Sequence, residues 1–397
     1  MRLIADFSSL PVPPPPRGKK YFMRNENSFL PMTRFVLVGG FLGAGKTTVI
    51  ARLVRWLGAR GLRCGLITND QGAGLVDSAL ARRQTAAMAE ITGGCFCCRL
   101  DDLVAAVKNL GQSERPDVFL AEPVGSCTDL MATVLQPLRR VYQMPLSLAP
   151  LAVLLDGQRA YRTLVDRGRT RDFSKDVGYI YRKQIEEAEI LVINKTDLLT
   201  AAQREKLTRE LETNYPGRKI FPISARTGEG LDAWFSMLME EGSSPRALME
   251  VDYERYGVGE ALLGWLNATV TISAGRAGAD GAGMLHRLAH AVVDGLEREG
   301  IEVAHFKMAL QDESGAILRV QVTRSGEMPA FAGALAGALG KAQLLVNLRA
   351  EGSPEQLTEI VSKALTISLK DIGHEVAEFA CFKPGQPVPT HRVEALA

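Results

Sequence analysis

The sequence has 397 residues, 46% of them apolar and 23% charged, with a net charge of +2. That length suits two domains, and the ordinary apolar and charged fractions exclude a fibrous or wholly disordered chain. The near-neutral charge points to neither a nucleic-acid nor a membrane partner. No apolar run is long enough to cross a bilayer, and six cysteines in so long a chain exclude a disulfide scaffold, so a cytoplasmic protein with reduced thiols is expected.

In chain order, residues 1–31 hold Pro11 and Pro13 to Pro16, then Arg17, Lys19 and Lys20. They lack periodicity and read as a disordered or polyproline leader, with Met32 as an alternative start. Strands are then expected at 35–38, 64–68, 118–121, 151–155, 190–193 and 219–223, with helices between them at 47–59, 100–110 and 201–214. Short, continuously apolar strands alternating with helices predict an α/β domain over 32–240, its mostly parallel sheet covered by helices on both faces. The pattern breaks at Glu241–Pro245, and a linker is expected over 241–254. Over 255–397 the spacing predicts strands at 266–273, 301–310, 317–323 and 344–350. It also predicts helices at 284–299, 330–339 and 354–369. That is a smaller α+β domain with a ferredoxin-like βαββαβ layout and an extra helix.

Residues 40–47 read G-F-L-G-A-G-K-T, a complete phosphate-binding loop between an apolar strand and a helix. Gly40, Gly43, Ala44 and Gly45 let backbone N–H groups turn inward around phosphate, and the helix start adds its positive dipole end. Lys46 reaches the β- and γ-phosphates, the Thr47 hydroxyl suits Mg²⁺, and Thr48 follows in the first turn. Asn194, Lys195 and Asp197 form N-K-x-D at a strand end. A carboxylate at Asp197 accepts from guanine N1 and N2, a donor pair that adenine lacks, and Ser224 and Ala225 complete the base edge. Two further strand ends carry acids. Glu122 acts on Mg²⁺ through water or orients the attacking water, with the Gly125 N–H facing the γ-phosphate. Asp70 is a second candidate for those roles, and Asp77 lies in the loop beyond.

Cys95, Cys97 and Cys98 put three thiols in four positions after Gly93 and Gly94. They can converge on one soft ion, Zn²⁺ or Cu(I), and three ligands leave a tetrahedral site open. Water, Glu90 or a partner side chain could fill the fourth position. Inert buried cysteines or a redox pair are the alternatives. Cys64 and Cys127 read as isolated packing residues. His286 and His290 share a helix face without a third ligand, and His374 and Cys381 are sparse.

Together, G-G-F-L-G-A-G-K-T-T at 39–48, E-x-x-x-x-C-x-C-C at 90–98, E-x-x-G at 122–125 and N-K-x-D at 194–197 resemble the CobW group of GTPases. These are relatives of the HypB and UreG metallochaperones. The resemblance covers about 33–240. It implies a P-loop GTPase using GTP, GDP and Mg²⁺, whose nucleotide state gates Zn²⁺ or Co²⁺ at Cys95, Cys97 and Cys98 for a client metalloprotein. A GTPase acting as a conformational chaperone for a cobalamin-dependent enzyme is the alternative it implies. Three features depart from the common pattern: Gly93 precedes Gly94-Cys95 where Asn-Gly-Cys is common, Asp70 stands where many members have Glu, and a His-rich loop is absent. No arginine is placed as a finger in cis, so slow basal hydrolysis is expected. A homodimer stays open.

Overall fold

The computed structural model describes residues 32–70, 87–166, 173–243, 248–274 and 278–394. Strand β1 (Thr33–Gly40) runs through the centre of the first sheet, with Phe35, Leu37, Val36 and Val38 completely enclosed. Both faces of β1 are covered, which is why its sequence is continuously apolar rather than alternating. Around it lie β2 (Cys64–Asp70), β3 (Ala87–Thr92), β4 (Val118–Glu122), β6 (Ala152–Asp156), β7 (Ile190–Asn194) and β8 (Lys219–Pro222), in the order β3-β2-β4-β1-β6-β7-β8. The short β5 (Leu146–Leu148) also pairs with β1. All these pairings are parallel, so every strand delivers its last residue to the same edge. Glu122, Asp156 and Asn194 are such last residues. Ligands of doubly wound sheets bind along this edge.

The second sheet has the order β12-β11-β10-β13-β9-β14 and is antiparallel throughout. It comprises β9 (Leu263–Ser273), β10 (Glu302–Asp312), β11 (Ile317–Val322), β12 (Ala330–Gly333), β13 (Lys341–Glu351) and β14 (Gly373–Phe382). Helix Gly281–Arg298 joins β9 to β10, and helix Pro354–Ser368 joins β13 to β14. Since β13 lies between β9 and β10, this is a split βαβ arrangement. Several elements differ from expectation, β3 and β5 among them. The segment expected as a helix over 330–339 instead begins with β12, which pairs Ala330 to Gly333 against β11. Gly333 (φ 83°), Gly337 and Gly340 weaken a helix there, while the β11 edge satisfies the backbone. The strand β14 was also absent from the pattern reading.

Two segments hold the sheets together. Helix Tyr253–Leu262 lies on helix Lys175–Glu187 so closely that a Cβ on Gly259 would stand 2.6 Å from the Asp176 carbonyl. After β14 the chain returns across the first domain, where Thr390 N–H donates to Cys97 O at 2.8 Å and Val393 N–H to Ala132 O at 2.9 Å. Among the described residues no helix is long and apolar enough to cross a membrane.

Candidate nucleotide site and cysteine cluster

The loop between β1 and helix Lys46–Gly58 turns its backbone toward the start of that helix. Gly45 is the N-cap, in the left-handed region at φ 94°, and contributes no side-chain cap. No cap side chain covers the helix start, where the positive end of the helix dipole favours an anion. A side chain at Gly45 is excluded by Asn194 as well, whose Nδ2 would lie 2.5 Å from its Cβ. Lys46 is buried and its Nζ donates to Gly40 O at 2.8 Å, poised at the mouth of the loop. The Thr47 hydroxyl donates to Glu122 Oε1 at 2.8 Å. A hydroxyl beside a carboxylate at the phosphate end is an oxygen donor set of the kind that Mg²⁺ takes, so these residues fit that ion. Gly125 packs against the loop itself, where a Cβ would sit 3.0 Å from Leu42 N.

Asn194 holds two loops together. Its Nδ2 donates to Ala44 O at 2.8 Å, and its Oδ1 accepts from Lys195 N at 2.8 Å and Ala225 N at 3.0 Å. Asp197 Oδ1 accepts from the Ser224 hydroxyl at 2.6 Å, and its Oδ2 from Arg226 Nε at 2.9 Å. Thr48 follows Thr47 in the helix whose start lines the same cavity. Lys195, in the left-handed region at φ 60°, donates to Asp156 Oδ2 at 2.6 Å and Thr323 Oγ1 at 3.1 Å. Burial pushes the Asp156 carboxyl up, but Lys195 and the Arg159 N–H outweigh it and leave it below the usual range.

The second sheet closes this region from above. A Cβ on Gly43 would meet Ala304 O at 3.0 Å. Desolvation and nearby Lys307, Arg349, Lys46 and Lys195 push the pKa of the half-buried His305 well below the ordinary imidazole range. A cavity of about 1900 Å³ runs from Lys46 and Thr47 past Asp197 to His305 and Lys307.

The cysteines lie on the turn between β3 and helix Leu100–Ser113. Gly93 adopts φ 76° to start the turn, and Cys98 N–H and Arg99 N–H both donate to Cys95 O, at 3.0 and 2.9 Å. This folds the sulfurs onto one point: Cys95 to Cys97 is 2.7 Å, Cys95 to Cys98 is 3.2 Å and Cys97 to Cys98 is 3.7 Å. Among the described residues these three form the group of ligand atoms lying within 4.8 Å of one another, and Glu90 is outside it. The thiols of Cys127, Cys97 and Cys98 all favour the charged form of Cys95 and hold its pKa well below the ordinary range. Asn69, next to the end of β2, donates to Gly94 O at 2.6 Å and Ile91 O at 3.0 Å, tying the cysteine turn to the nucleotide edge of the sheet.

Asp70 ends β2, but its expected side-chain role, like that of Asp77, falls outside the described residues. The other expected residues gather in two places. Gly43, Gly45, Lys46, Thr47, Thr48, Glu122, Gly125, Asn194, Lys195, Asp197 and Ala225 line the cavity end, Gly40, Ala44 and Ser224 are hydrogen-bonded to them, and the three cysteines form a separate cluster. Asp156, Arg226, Thr323 and Cys127 were not anticipated. Asp156 carried the same signal as Glu122, an acid at a strand end, whereas Thr323 and Cys127 had none.

A parallel sheet with a glycine loop into a helix start, and a base-reading N-K-x-D on a neighbouring strand end, defines a P-loop nucleotide-binding domain of the GTPase type. Residues 34–222 match the family model described as CobW/HypB/UreG, nucleotide-binding domain. A zinc chaperone CobW of a Sinorhizobium species is 30% identical over 217 residues, covering 49% of this chain and 59% of that protein. The zinc chaperone YeiR of Escherichia coli K12 is 29% identical over 192 residues, covering 48% of this chain and 54% of that one. The crystal structure of the hydrogenase maturation factor HypB from Archaeoglobus fulgidus aligns with a TM-score of 0.37 at 21% identity, over 52% of this chain and 88% of that one. The chain spans a little over half the length of the curated relatives it matches.

Proposed function

We propose that the protein hydrolyses GTP and uses the change from GTP to GDP to gate zinc at Cys95, Cys97 and Cys98, passing the ion to a client metalloprotein. The observation that carries this reading is Asn69. It sits beside Asp70 on the nucleotide edge and is hydrogen-bonded to Gly94, the residue before the first cysteine. A change at the phosphate end therefore has a short covalent and hydrogen-bonded route to the thiols. Thr47 and Glu122 would hold Mg²⁺, which when bound neutralises charge on the phosphates. Lys46 exchanges its contact with Gly40 O for phosphate oxygens, and Asp197 exchanges Arg226 for the guanine edge. The second sheet, seated on Gly43 and Lys195, carries the nucleotide state outward toward the client.

The names of the two zinc chaperones support zinc as the cargo. Thiolates bind Co²⁺ as well, so cobalt is the second ion to test. The reduced thiols suit the cytoplasm.

Phosphate release from GTP by reduced protein with Mg²⁺ tests the catalytic half. Slow turnover is expected, with ATP a poor substrate and Lys46→Ala slower by roughly 10²–10³-fold. Equal turnover of ATP and GTP, or an unaffected Lys46→Ala, contradicts it.

A further inference from the structure

After β14 the chain runs over 383–394 without helix or strand, and it lies on the cysteine turn. Its contacts there are to the backbone that carries the sulfurs. Thr390 N–H donates to Cys97 O at 2.8 Å, and the Thr390 hydroxyl donates to Cys98 O at 3.3 Å. Two residues on, Arg392 Nε donates to Asp129 Oδ2 at 2.7 Å and its Nη2 to Met249 O at 2.8 Å. Asp129 is buried, and the Tyr253 hydroxyl donates to the same carboxylate oxygen at 2.8 Å. The His391 ring stands edge-on to the Tyr142 ring at 5.6 Å. Pro384 and Pro387 are buried, and Pro387 and Pro389 fix the backbone of the approach. The thiols of the turn are largely closed off from water: Cys97 is 1% exposed and Cys95 5%.

We infer that residues 384–393 form a latch over the cysteine turn, which must lift before an ion passes from Cys95, Cys97 and Cys98 to another protein. This rests on the reading that these cysteines bind zinc. An ion changes hands only when an incoming ligand reaches it, so enclosed sulfurs need a cover that opens. The latch is the neighbour suited to open. Helix Leu100–Ser113 follows the turn directly and buries Leu100, Leu103 and Val104 in the core. Helix Tyr253–Leu262, which meets Asp129 through Tyr253, buries Tyr256 and Glu260. The latch makes no strand or helix bonds, and its Thr390 and Arg392 are exposed to solvent. Segments held by a few exposed hydrogen bonds lie at the low end of local stability. Its two anchors belong to different places. Thr390 holds the cysteine turn, whereas Asp129 lies seven residues beyond Glu122, on the segment that leaves the phosphate end. Asp129 is in the left-handed region at φ 63°, uncommon for a residue with a side chain, so the aim of its carboxylate depends on the path of that segment. The latch thus spans the two sites that the proposed function couples.

Alkylation of the reduced, metal-free, full-length protein by N-ethylmaleimide, with each cysteine followed by peptide mass, tests the latch without any metal. Thr390→Pro removes the N–H that Cys97 O accepts, and Arg392→Ala removes the anchor at Asp129. The readout is the rate at Cys97 relative to Cys64, which begins β2 away from the latch, so a general loss of stability does not raise it. Either variant should raise that ratio by about tenfold, the effect of one charge-assisted or buried hydrogen bond, and should speed zinc release to excess chelator by a similar factor. An unchanged ratio in both variants would overturn the latch, as would a raised ratio with zinc release no faster. A raised ratio in a protein that takes up no zinc would overturn the proposed function and the latch's part in ion transfer together, a result distinct from an unchanged ratio.

Discussion

Replacing Glu260 by glutamine should remove a large part of the protein's pH-dependent stability. Glu260 stands on helix Tyr253–Leu262 with 2% exposure, between Tyr256 and the loop that carries Cys127. Burial pushes its carboxyl up to about 8 from 4.5; the Cys95 thiolate adds to the rise, and the Ser126 and Tyr256 hydroxyls oppose it. A group whose folded pKa exceeds its unfolded one stabilises fully below the unfolded value. It loses that contribution as pH rises through the folded value. One proton is worth about 1.4 kcal/mol per pH unit in that window, so the wild type should lose about 3–4 kcal/mol at this position between pH 5 and pH 8. Glu260→Gln keeps the shape and cannot ionise. Urea unfolding of both proteins, reduced and metal-free, gives the difference between them at each pH, which cancels the other titrating groups. That difference should move in favour of the variant by about 3–4 kcal/mol from pH 5 to pH 8. A difference that stays flat, or moves the other way, refutes the buried neutral carboxyl.

Two substitutions test the nucleotide site. Gly45→Ala places a Cβ 2.5 Å from Asn194 Nδ2 at φ 94°; it should cost about 1–3 kcal/mol and abolish the rise in melting temperature on adding GDP, and a wild-type response to GDP would contradict the packing described. Asp197→Asn turns an acceptor into a donor, so binding should shift from guanine toward xanthine nucleotides by roughly 10²-fold or more. Competition between GTP and XTP reads this directly, and an unaltered preference for GTP would show that Asp197 does not face the base.

Features written in contiguous residues were legible in the sequence. The strand, glycine loop and helix start at 35–48 specify their own geometry, because the glycines admit the backbone angles and the apolar run demands a covered sheet. The cysteine turn was legible for the same reason. What depends on distant pairing was not. Strand β12 is built from Ala330, Phe331, Ala332 and Gly333, whose conflicting preferences, Ala for helix and Phe for strand, leave the β11 edge to decide. Asp156 shows its role only when Lys195 folds back onto it from a left-handed residue.

The account's central claim is that one site feels the occupant of the other. Zinc affinity of the reduced, metal-free protein, measured by chelator competition with Mg²⁺ and either GDP or a non-hydrolysable GTP analogue, tests it most directly. The account predicts affinities that differ between the two nucleotides by at least about fivefold, the lower end of ordinary coupling, and a difference that disappears in Cys97→Ser. Equal affinities would mean that the phosphate loop and the cysteines share a domain without sharing free energy, and the gating claim would fall.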